Sequence, residues 1–180
     1  LIIDYSCGIK LSTAAALSAA INTAARQGVL IKGSSVIESM SNADTLILDK
    51  TGTLTEGKPC VESVVPESGK YSAKDVIAFA AAAEETSKHP MASAILERAS
   101  REGVEIPRHG DIITTVGRGV LTTIDGTPIR VGNKRFLNES GIHTHPMREQ
   151  ASALFARGEN VVFVSRDNQM AGLIGIRDPL

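Results

Sequence analysis

The stretch TLILDKTGTLTEGKP, residues 45–59, places a carboxylate at the end of an apolar run and follows it with a lysine, threonines and glycines. At the tip of a buried strand, Asp49 would lie in the crevice where open α/β sheets bind ligands, and there its carboxylate can attack an electrophile. Gly52 permits a tight turn, so that the amides of Thr51 and Gly52 can face a phosphoryl group, to which threonine hydroxyls add neutral hydrogen bonds. Asp49 and the Thr51 carbonyl could also share one Mg²⁺, which prefers oxygen ligands. This arrangement indicates phosphoryl transfer to Asp49.

Three later segments, EETSKHPMASAI, TVGRGV and VGNKRF, carry residues that suit a nucleotide site. Each segment alone has a plainer interpretation, respectively as a helix N-terminus, a turn and a capped helix start. The residues concerned are His89-Pro90, Gly117-Arg118-Gly119 and Gly132-Asn133. A lone Asp-Lys-Thr-Gly is likewise most often a polar turn. The interpretation as a phosphoryl-transfer and nucleotide site therefore depends on the whole run that begins at Asp49 and on the order of the segments after it.

The run DKTGTLT, residues 49–55, resembles the phosphorylation motif of P-type ATPases, cation pumps of the haloacid dehalogenase superfamily. The resemblance implies that Asp49 accepts the γ-phosphoryl group of ATP and that Lys50, Thr51, Gly52 and Thr53 complete the catalytic motif. Phosphatase relatives usually carry a second Asp two residues after the nucleophile. Thr51 stands there, and a threonine is a poor general acid or base. We therefore expect a long-lived phosphoenzyme.

In their order after DKTGTLT, the three later segments resemble the nucleotide-binding domain of the heavy-metal subgroup of these pumps. The resemblance implies that a Glu and a His meet the adenine, that a Gly-x-Gly lets the backbone approach the nucleotide, and that an Asn completes the pocket. The predicted nucleotide-binding residues are Glu84, His89, Pro90, Gly117, Gly119, Gly132 and Asn133. Glu85 is the alternative to Glu84, and the spacing to the histidine favours Glu84.

The first 26 residues are rich in alanine, leucine and isoleucine but are interrupted by Asp4, Lys10, Asn22 and Arg26. They make a poor membrane span by hydropathy, and an amphipathic soluble helix is an alternative. In heavy-metal pumps a membrane helix with a Cys-Pro-x ion site lies at this point, and Ser6-Cys7-Gly8 stands where the family often has Cys-Pro-Cys. The resemblance makes Cys7 a candidate ligand of the transported ion, with packing as the equal alternative.

The periodicity of apolar residues and the turn residues between them predict the elements that position these side chains. Helices are expected over residues 34–40, 72–85, 90–102, 134–140 and 146–157, and strands over 29–31, 45–48, 61–65, 112–116, 120–124, 129–131, 161–165 and 170–176. Asp125-Gly126 predicts a hairpin turn. Ser72 and Asp75 predict a capped helix start.

The expected fold class is α/β. A haloacid dehalogenase-like, Rossmann-type phosphorylation domain, present in part, would carry an inserted α+β nucleotide-binding domain, an antiparallel sheet flanked by helices. The expected divisions are the end of a membrane helix at 1–26, the first part of the phosphorylation domain at 27–59, the nucleotide-binding domain at 60–175, and the return to the phosphorylation domain at 176–180.

The charge balance, 19 basic against 20 acidic residues, gives no electrostatic footprint for nucleic acid. Cys7 and Cys60 are far apart, which argues against a disulfide framework and favours a reducing, cytosol-facing location.

The resemblance therefore predicts part of a pump that uses ATP and Mg²⁺ to move a heavy-metal cation across a membrane through an aspartyl phosphate. Its expected partners are ATP, a soft or borderline metal ion and, through the parent protein, the lipid membrane. The parent would be a multi-pass membrane protein with the residues after about 27 in the cytoplasm, and this piece alone would be inactive. A soluble phosphatase or phosphotransferase of the same superfamily, and an ATP-binding module without turnover, are the alternatives.

Overall fold

The computed structural model describes residues 5–55, 57–67 and 69–179. The chain divides into two compact units, residues 1–47 and residues 48–180.

The first unit contains two helices, α1 (Tyr5–Arg26) and α2 (Ser34–Ser41). Gly28, with φ of 82°, ends α1, and the Val29 N–H donates to the Ala24 carbonyl at 2.9 Å, which satisfies one of the last carbonyls of the helix. The strand predicted over 29–31 is wrong, since these residues have no regular structure. No helix in the part of the chain that the structure describes is long and apolar enough to cross a membrane.

The second unit is built on a six-stranded antiparallel sheet. In spatial order the strands are β1 (Cys60–Pro66), β6 (Gln169–Arg177), β5 (Asn160–Arg166), β4 (Thr127–Gly132), β3 (Gly119–Ile124) and β2 (Ile113–Thr115). The Asp125-Gly126 turn between β3 and β4 has positive φ at both residues, 49° and 73°, as the twist of a two-residue hairpin requires. The strands and the hairpin predicted after residue 60 are confirmed.

Helices cover both faces of this sheet. The pair α3 (Ala73–Glu84) and α4 (Pro90–Arg101) packs on one face, and α5 (Lys134–Glu139), a 3-10 turn (His145–Met147) and α6 (Arg148–Ala156) pack on the other. Consecutive residues of a strand point to opposite faces. Val162 accordingly joins the core under α3 and α4, while Phe163 joins the core under α6.

The start of α3 shows why the sequence folds into this helix. The Ser72 hydroxyl accepts from the Asp75 N–H at 3.2 Å, and the Asp75 carboxylate accepts from the Ser72 N–H at 2.8 Å. This reciprocal pair satisfies two N–H groups that have no partner within the helix, as predicted. Further along α3, Ala80, Ala81, Ala82 and Ala83 are fully buried. These small side chains let the helix lie close to its neighbours.

The buried strand predicted over residues 45–48 is wrong. These residues have no regular structure, and Leu46, Ile47 and Leu48 are 79%, 92% and 50% exposed. An apolar run becomes a buried strand only when neighbouring strands take up its backbone hydrogen bonds and other elements cover its faces. No described strand pairs with this segment.

Candidate functional site

A cleft of about 310 Å³ opens between the α3–α4 connection and the sheet. Six of the seven residues predicted to bind nucleotide line it: Glu84, His89, Gly117, Gly119, Gly132 and Asn133. The seventh, Pro90, is the first residue of α4 and does not line the cleft. Residues far apart in the sequence therefore meet at one place in the fold.

His89 stands at the start of α4, where it is the N-cap residue. Its Nδ1 accepts from the Met91 N–H at 3.2 Å, so the neutral ring carries its proton on Nε2. The His89 N–H in turn donates to the Ser87 hydroxyl at 3.3 Å. The helix start thus holds one ring nitrogen and leaves Nε2–H as a hydrogen-bond donor for a ligand.

Glu84 ends α3 and is half-buried at the cleft. Burial raises the pKa of its carboxyl, while a hydrogen bond with Ser87 and the charge of a protonated His89 act in the opposite direction. The cleft therefore presents a partly desolvated carboxylate beside an imidazole.

The neighbouring Glu85 has a different place. Its carboxylate contacts His109 Nε2 at 2.7 Å, and His109 Nδ1 lies 2.8 Å from the Gly110 carbonyl. The Gly110 carbonyl and Glu85 raise the pKa of His109. Glu85 does not line the cleft, so the spacing argument chose the glutamate that does. The sequence contained no signal for the partner of His109.

Asn133 joins the glycine turn to α5. Its Oδ1 accepts from the Phe136 N–H at 2.9 Å and caps the helix, and its Nδ2 donates to the Gly117 carbonyl at 3.1 Å. Its backbone N–H donates to the Arg118 carbonyl at 2.9 Å. Gly117 has a positive φ of 71°. Both ends of the Asn133 amide are used within the protein, which sets the shape of the turn at the cleft.

Gly119 and Gly132 face each other across β3 and β4. A methyl group on Gly119 would lie 2.4 Å from the Val131 carbonyl oxygen, and one on Gly132 would lie 2.4 Å from the Arg118 carbonyl oxygen. Both positions exclude a side chain because the two backbones and the Phe136 ring approach so closely.

Sequence reasoning missed most of the cleft wall. Apolar side chains and hydroxyls contribute to it, among them Met91, Ile95, Thr114, Thr115, Val120 and Val162. Arg118, expected only as a turn residue, also lines the cleft and forms an ion pair with Glu139, whose carboxylate lies 2.7 Å from Arg135 Nε as well. Hydrophobic periodicity predicts that such residues face a core, but it does not show which of them border an opening.

The phosphorylation motif lies apart from these cleft-lining residues in the sequence. Its Asp49 side chain is exposed. Residues Lys50–Leu54 form one turn of π-helix, in which Gly52 has the positive φ of 78° that a tight turn needs. The Gly52 N–H donates to the Thr55 hydroxyl at 3.1 Å. This corrects the expectation that the Gly52 amide is free for a phosphoryl group. Thr53 is exposed, and the side chains of Cys7, Lys50 and Thr51 lie outside the described part of the structure.

Asp178 joins this motif from the other end of the second unit. Thr55 Oγ1 donates to Asp178 Oδ2 at 2.5 Å, while Asp178 Oδ1 is buried without a hydrogen-bond partner among the described residues. From the sequence, Asp178 is placed only within the returning segment at residues 176–180. Its contact with Thr55 connects residues 123 positions apart.

Comparisons with known proteins identify relatives of this chain. The sequence model of the family described as haloacid dehalogenase-like hydrolase matches residues 43–180. The copper-exporting P-type ATPase of Bacillus subtilis (strain 168) is 36% identical over 180 residues, which are 100% of this chain and 22% of that protein.

Two solved structures are also similar. A zinc-transporting PIB-type ATPase in the E2.Pi state matches with a TM-score of 0.76 and 31% identity, over 94% of this chain and 27% of that one. The catalytic domain of the CPx-ATPase CopB-B, from a study of its conformational changes upon nucleotide binding, matches with a TM-score of 0.65 and 28% identity, over 88% of this chain and 52% of that one.

The chain thus spans about a quarter of the length of the pumps it matches, 22% of the copper exporter and 27% of the zinc transporter. The resemblance inferred from DKTGTLT and the three later segments is confirmed. The chain belongs to the haloacid dehalogenase-like hydrolases, and throughout its length it is similar to the metal-transporting P-type ATPases.

Proposed function

We propose that this chain is the ATP-binding and phosphate-accepting part of a pump that moves a heavy-metal cation across a membrane, with Asp49 as the phosphorylated residue. The observation that carries the proposal is the meeting of Glu84, His89 and the glycine turn at one cleft. The DKTGTLT motif and the similarity to copper and zinc pumps support it.

The chemistry of the cleft suits an adenine nucleotide. Met91, Ile95 and Val162 offer apolar surface to a purine, and few polar groups sit among them, as is usual for ligand sites. The Glu84 carboxylate would accept a hydrogen bond from the adenine amino group, and His89 Nε2–H would donate to a ring nitrogen. The turn at Gly117 and Gly119 would let the backbone approach the remainder of the nucleotide, since glycines carry no side chain.

In phosphoryl transfer the Asp49 carboxylate would act as the nucleophile. One of its oxygens forms a bond to the γ-phosphorus as the bond to the bridging oxygen breaks, and ADP leaves with the electron pair. Thr51, as a poor general base, would not activate water against the product. The acyl phosphate would persist long enough to be coupled to a conformational change.

The motif offers oxygen atoms, which are the ligands that Mg²⁺ prefers. Asp49 and the Thr51 carbonyl would hold it, since both supply oxygen atoms, and the buried Asp178 Oδ1 is a further oxygen joined to the motif through Thr55. The described residues contain no group of three or more His, Cys, Asp or Glu that could hold a metal, so water and phosphate oxygens would complete the shell. Bound Mg²⁺ supplies positive charge that offsets charge on the phosphoryl group.

We also propose a division of the chain into domains. Residues 60–175 would form the nucleotide-binding domain, 27–59 and 176–180 would belong to the phosphorylation domain, and 1–26 would be the end of the ion-site helix. The parent would be a multi-pass membrane protein, with the residues after about 27 in the cytoplasm. Because one similar pump exports copper and another transports zinc, the proposed cargo is a soft or borderline metal ion, with Cys7 as one ligand.

A soluble phosphatase or phosphotransferase is the second candidate, since the family match is to hydrolases. Thr51, in the place of the second Asp of phosphatase relatives, disfavours it.

The test uses the full-length pump, ATP labelled in the γ-phosphate, and Mg²⁺. We expect label on Asp49 as an acyl phosphate that is stable in acid and cleaved by hydroxylamine, because an acyl phosphate is a reactive anhydride. Asp49→Asn keeps the shape but replaces the nucleophile with a neutral amide, so labelling should vanish while ATP binding persists. Label that resists hydroxylamine, or that survives this substitution on Thr51 or Thr53, would contradict the proposal.

A further inference from the structure

A second cavity, of about 490 Å³, lies among α5, the segment at residues 143–145 and α6. It is separate from the nucleotide cleft because the sheet lies between them. The two share no lining residue, and α5 and α6 pack on the face of the sheet opposite to α3 and α4.

Basic side chains without ion-pair partners among the described residues line this cavity. Lys134 and Arg148 line it together with the imidazoles of His143 and His145, and none of the lining residues is acidic. None of these four side chains forms an ion pair with a carboxylate among the described residues. An anion would offset the mutual repulsion of the cations.

Neutral donors and an aromatic surface complete the cavity. Asn138 Oδ1 accepts from the Thr144 hydroxyl at 3.3 Å, which leaves the Asn138 amide NH₂ to donate to a ligand. Phe155 lines the cavity and is 56% exposed, so its ring is accessible to a ligand. A ligand that pairs an anionic group with a flat apolar group would use both features.

We propose that this cavity binds a small organic anion that carries a phosphate group and a flat apolar part. The cavity volume falls within the range of about 300–1,000 Å³ that is usual for small-molecule sites. Because Lys134 and Arg148 are exposed, the site is sensitive to salt.

The test titrates the 180-residue chain, labelled with ¹⁵N, with phenyl phosphate and separately with inorganic phosphate at low salt. We expect phenyl phosphate to shift the amide signals of residues 134–155 and to bind more tightly than inorganic phosphate. Phe155→Ala should remove that difference while inorganic phosphate binds as before. Because the Phe155 ring is exposed, this substitution leaves the fold intact.

The charge is tested with Lys134→Gln/Arg148→Gln, which should weaken phenyl phosphate binding by about tenfold. The matched control is Lys74→Gln/Arg101→Gln, which removes the same charge from exposed positions outside the cavity and should leave binding unchanged. Equal loss in the control, or shifts confined to residues 117–119 at the nucleotide cleft, would overturn the proposal. So would binding of a poly-glutamate peptide without binding of phenyl phosphate, which would indicate an acidic protein segment as the ligand.

Discussion

At the single residue Glu84, the stability of the fold and the binding of a ligand place opposite demands on the carboxylate. Burial raises the pKa of its carboxyl, so the folded protein holds the Glu84 proton more tightly than the unfolded chain does. A group of this kind contributes stability at low pH and loses that contribution as the pH rises through its folded pKa. At neutral pH the charged carboxylate therefore costs the fold free energy, and the proposed contact with adenine gives a reason for keeping it.

Glu84→Gln should raise the melting temperature at pH 8, because it removes a half-buried charge. The gain should disappear below about pH 4, where a glutamate is largely protonated in either state. Thermal unfolding of both proteins at the two pH values measures this. Glu97→Gln, at an exposed position of α4, is the control and should change neither value. A lower melting temperature for Glu84→Gln at pH 8 would show that the carboxylate stabilises the fold.

Asn133 would affect nucleotide binding indirectly, through the two backbone groups that its side-chain amide binds. Its amide both caps α5 and holds the Gly117 carbonyl, so the two functions can be separated by substitution.

Asn133→Ser should keep the helix cap, since serine is an equally good N-cap residue, but lose the amide donor to Gly117. We expect stability within about 0.5 kcal/mol of the original and ATP affinity lower by roughly tenfold. Asn133→Ala should lose both functions and cost a further 1 kcal/mol or so of stability. Chemical denaturation and isothermal titration with ATP distinguish them. Unchanged ATP affinity in Asn133→Ser would mean that the Gly117 bond does not shape the cleft.

At the scale of the element, the pairing of β3 with β4 is what forms the wall of the cleft. Gly119 and Gly132 lie directly opposite each other, and the Phe136 ring covers them. The resemblance assigned these glycines to nucleotide binding, but close packing of the two strands already requires them. Both requirements can act on the same residue.

Gly119→Ala should therefore destabilise the fold even without ligand, by about 1–3 kcal/mol, because the new methyl group meets the Val131 carbonyl oxygen. Gly8→Ala is the contrasting substitution. A methyl group at Gly8 meets nothing within 4 Å, and alanine is the better helix former, so α1 should gain stability. Denaturant unfolding compares the two. A Gly119→Ala protein as stable as the original would show that the strands can separate slightly at no cost.

In the molecule as a whole, Cys7 and the cleft belong to different units. Cys7 belongs to residues 1–47, while every residue that lines the cleft belongs to residues 48–180. Ion binding and ATP binding are therefore expected to respond to different substitutions.

On the proposed function, Cys7→Ala in the full-length protein should abolish metal-stimulated ATP turnover and leave ATP affinity unchanged. Turnover is measured across soft and borderline metals, and nucleotide binding by titration. Cys60→Ala is the matched control, since Cys60 begins β1 in the other unit and should not affect stimulation. Metal stimulation that persists in Cys7→Ala would leave Cys7 with a packing role.

The local structure after residue 60 and the family could both be predicted from the amino-acid sequence. The Ser72–Asp75 capping box, the Asp125-Gly126 hairpin and the start of α4 at Pro90 follow from interactions between near neighbours, which a sequence displays directly. DKTGTLT and the three later segments were sufficient for the resemblance that the comparisons confirm.

Which distant residues meet is known from the three-dimensional structure and not from the sequence. The structure placed Glu84 at the cleft and Glu85 on His109, joined Thr55 to Asp178, and tied the Asn133 amide to the Gly117 carbonyl. It also left residues 45–48 without a strand, although their apolar run predicts one, because β-structure requires partners that are specified elsewhere in a chain. Contacts between distant segments depend on the packing of the sheet and its helices, and a local pattern of residues does not contain that information.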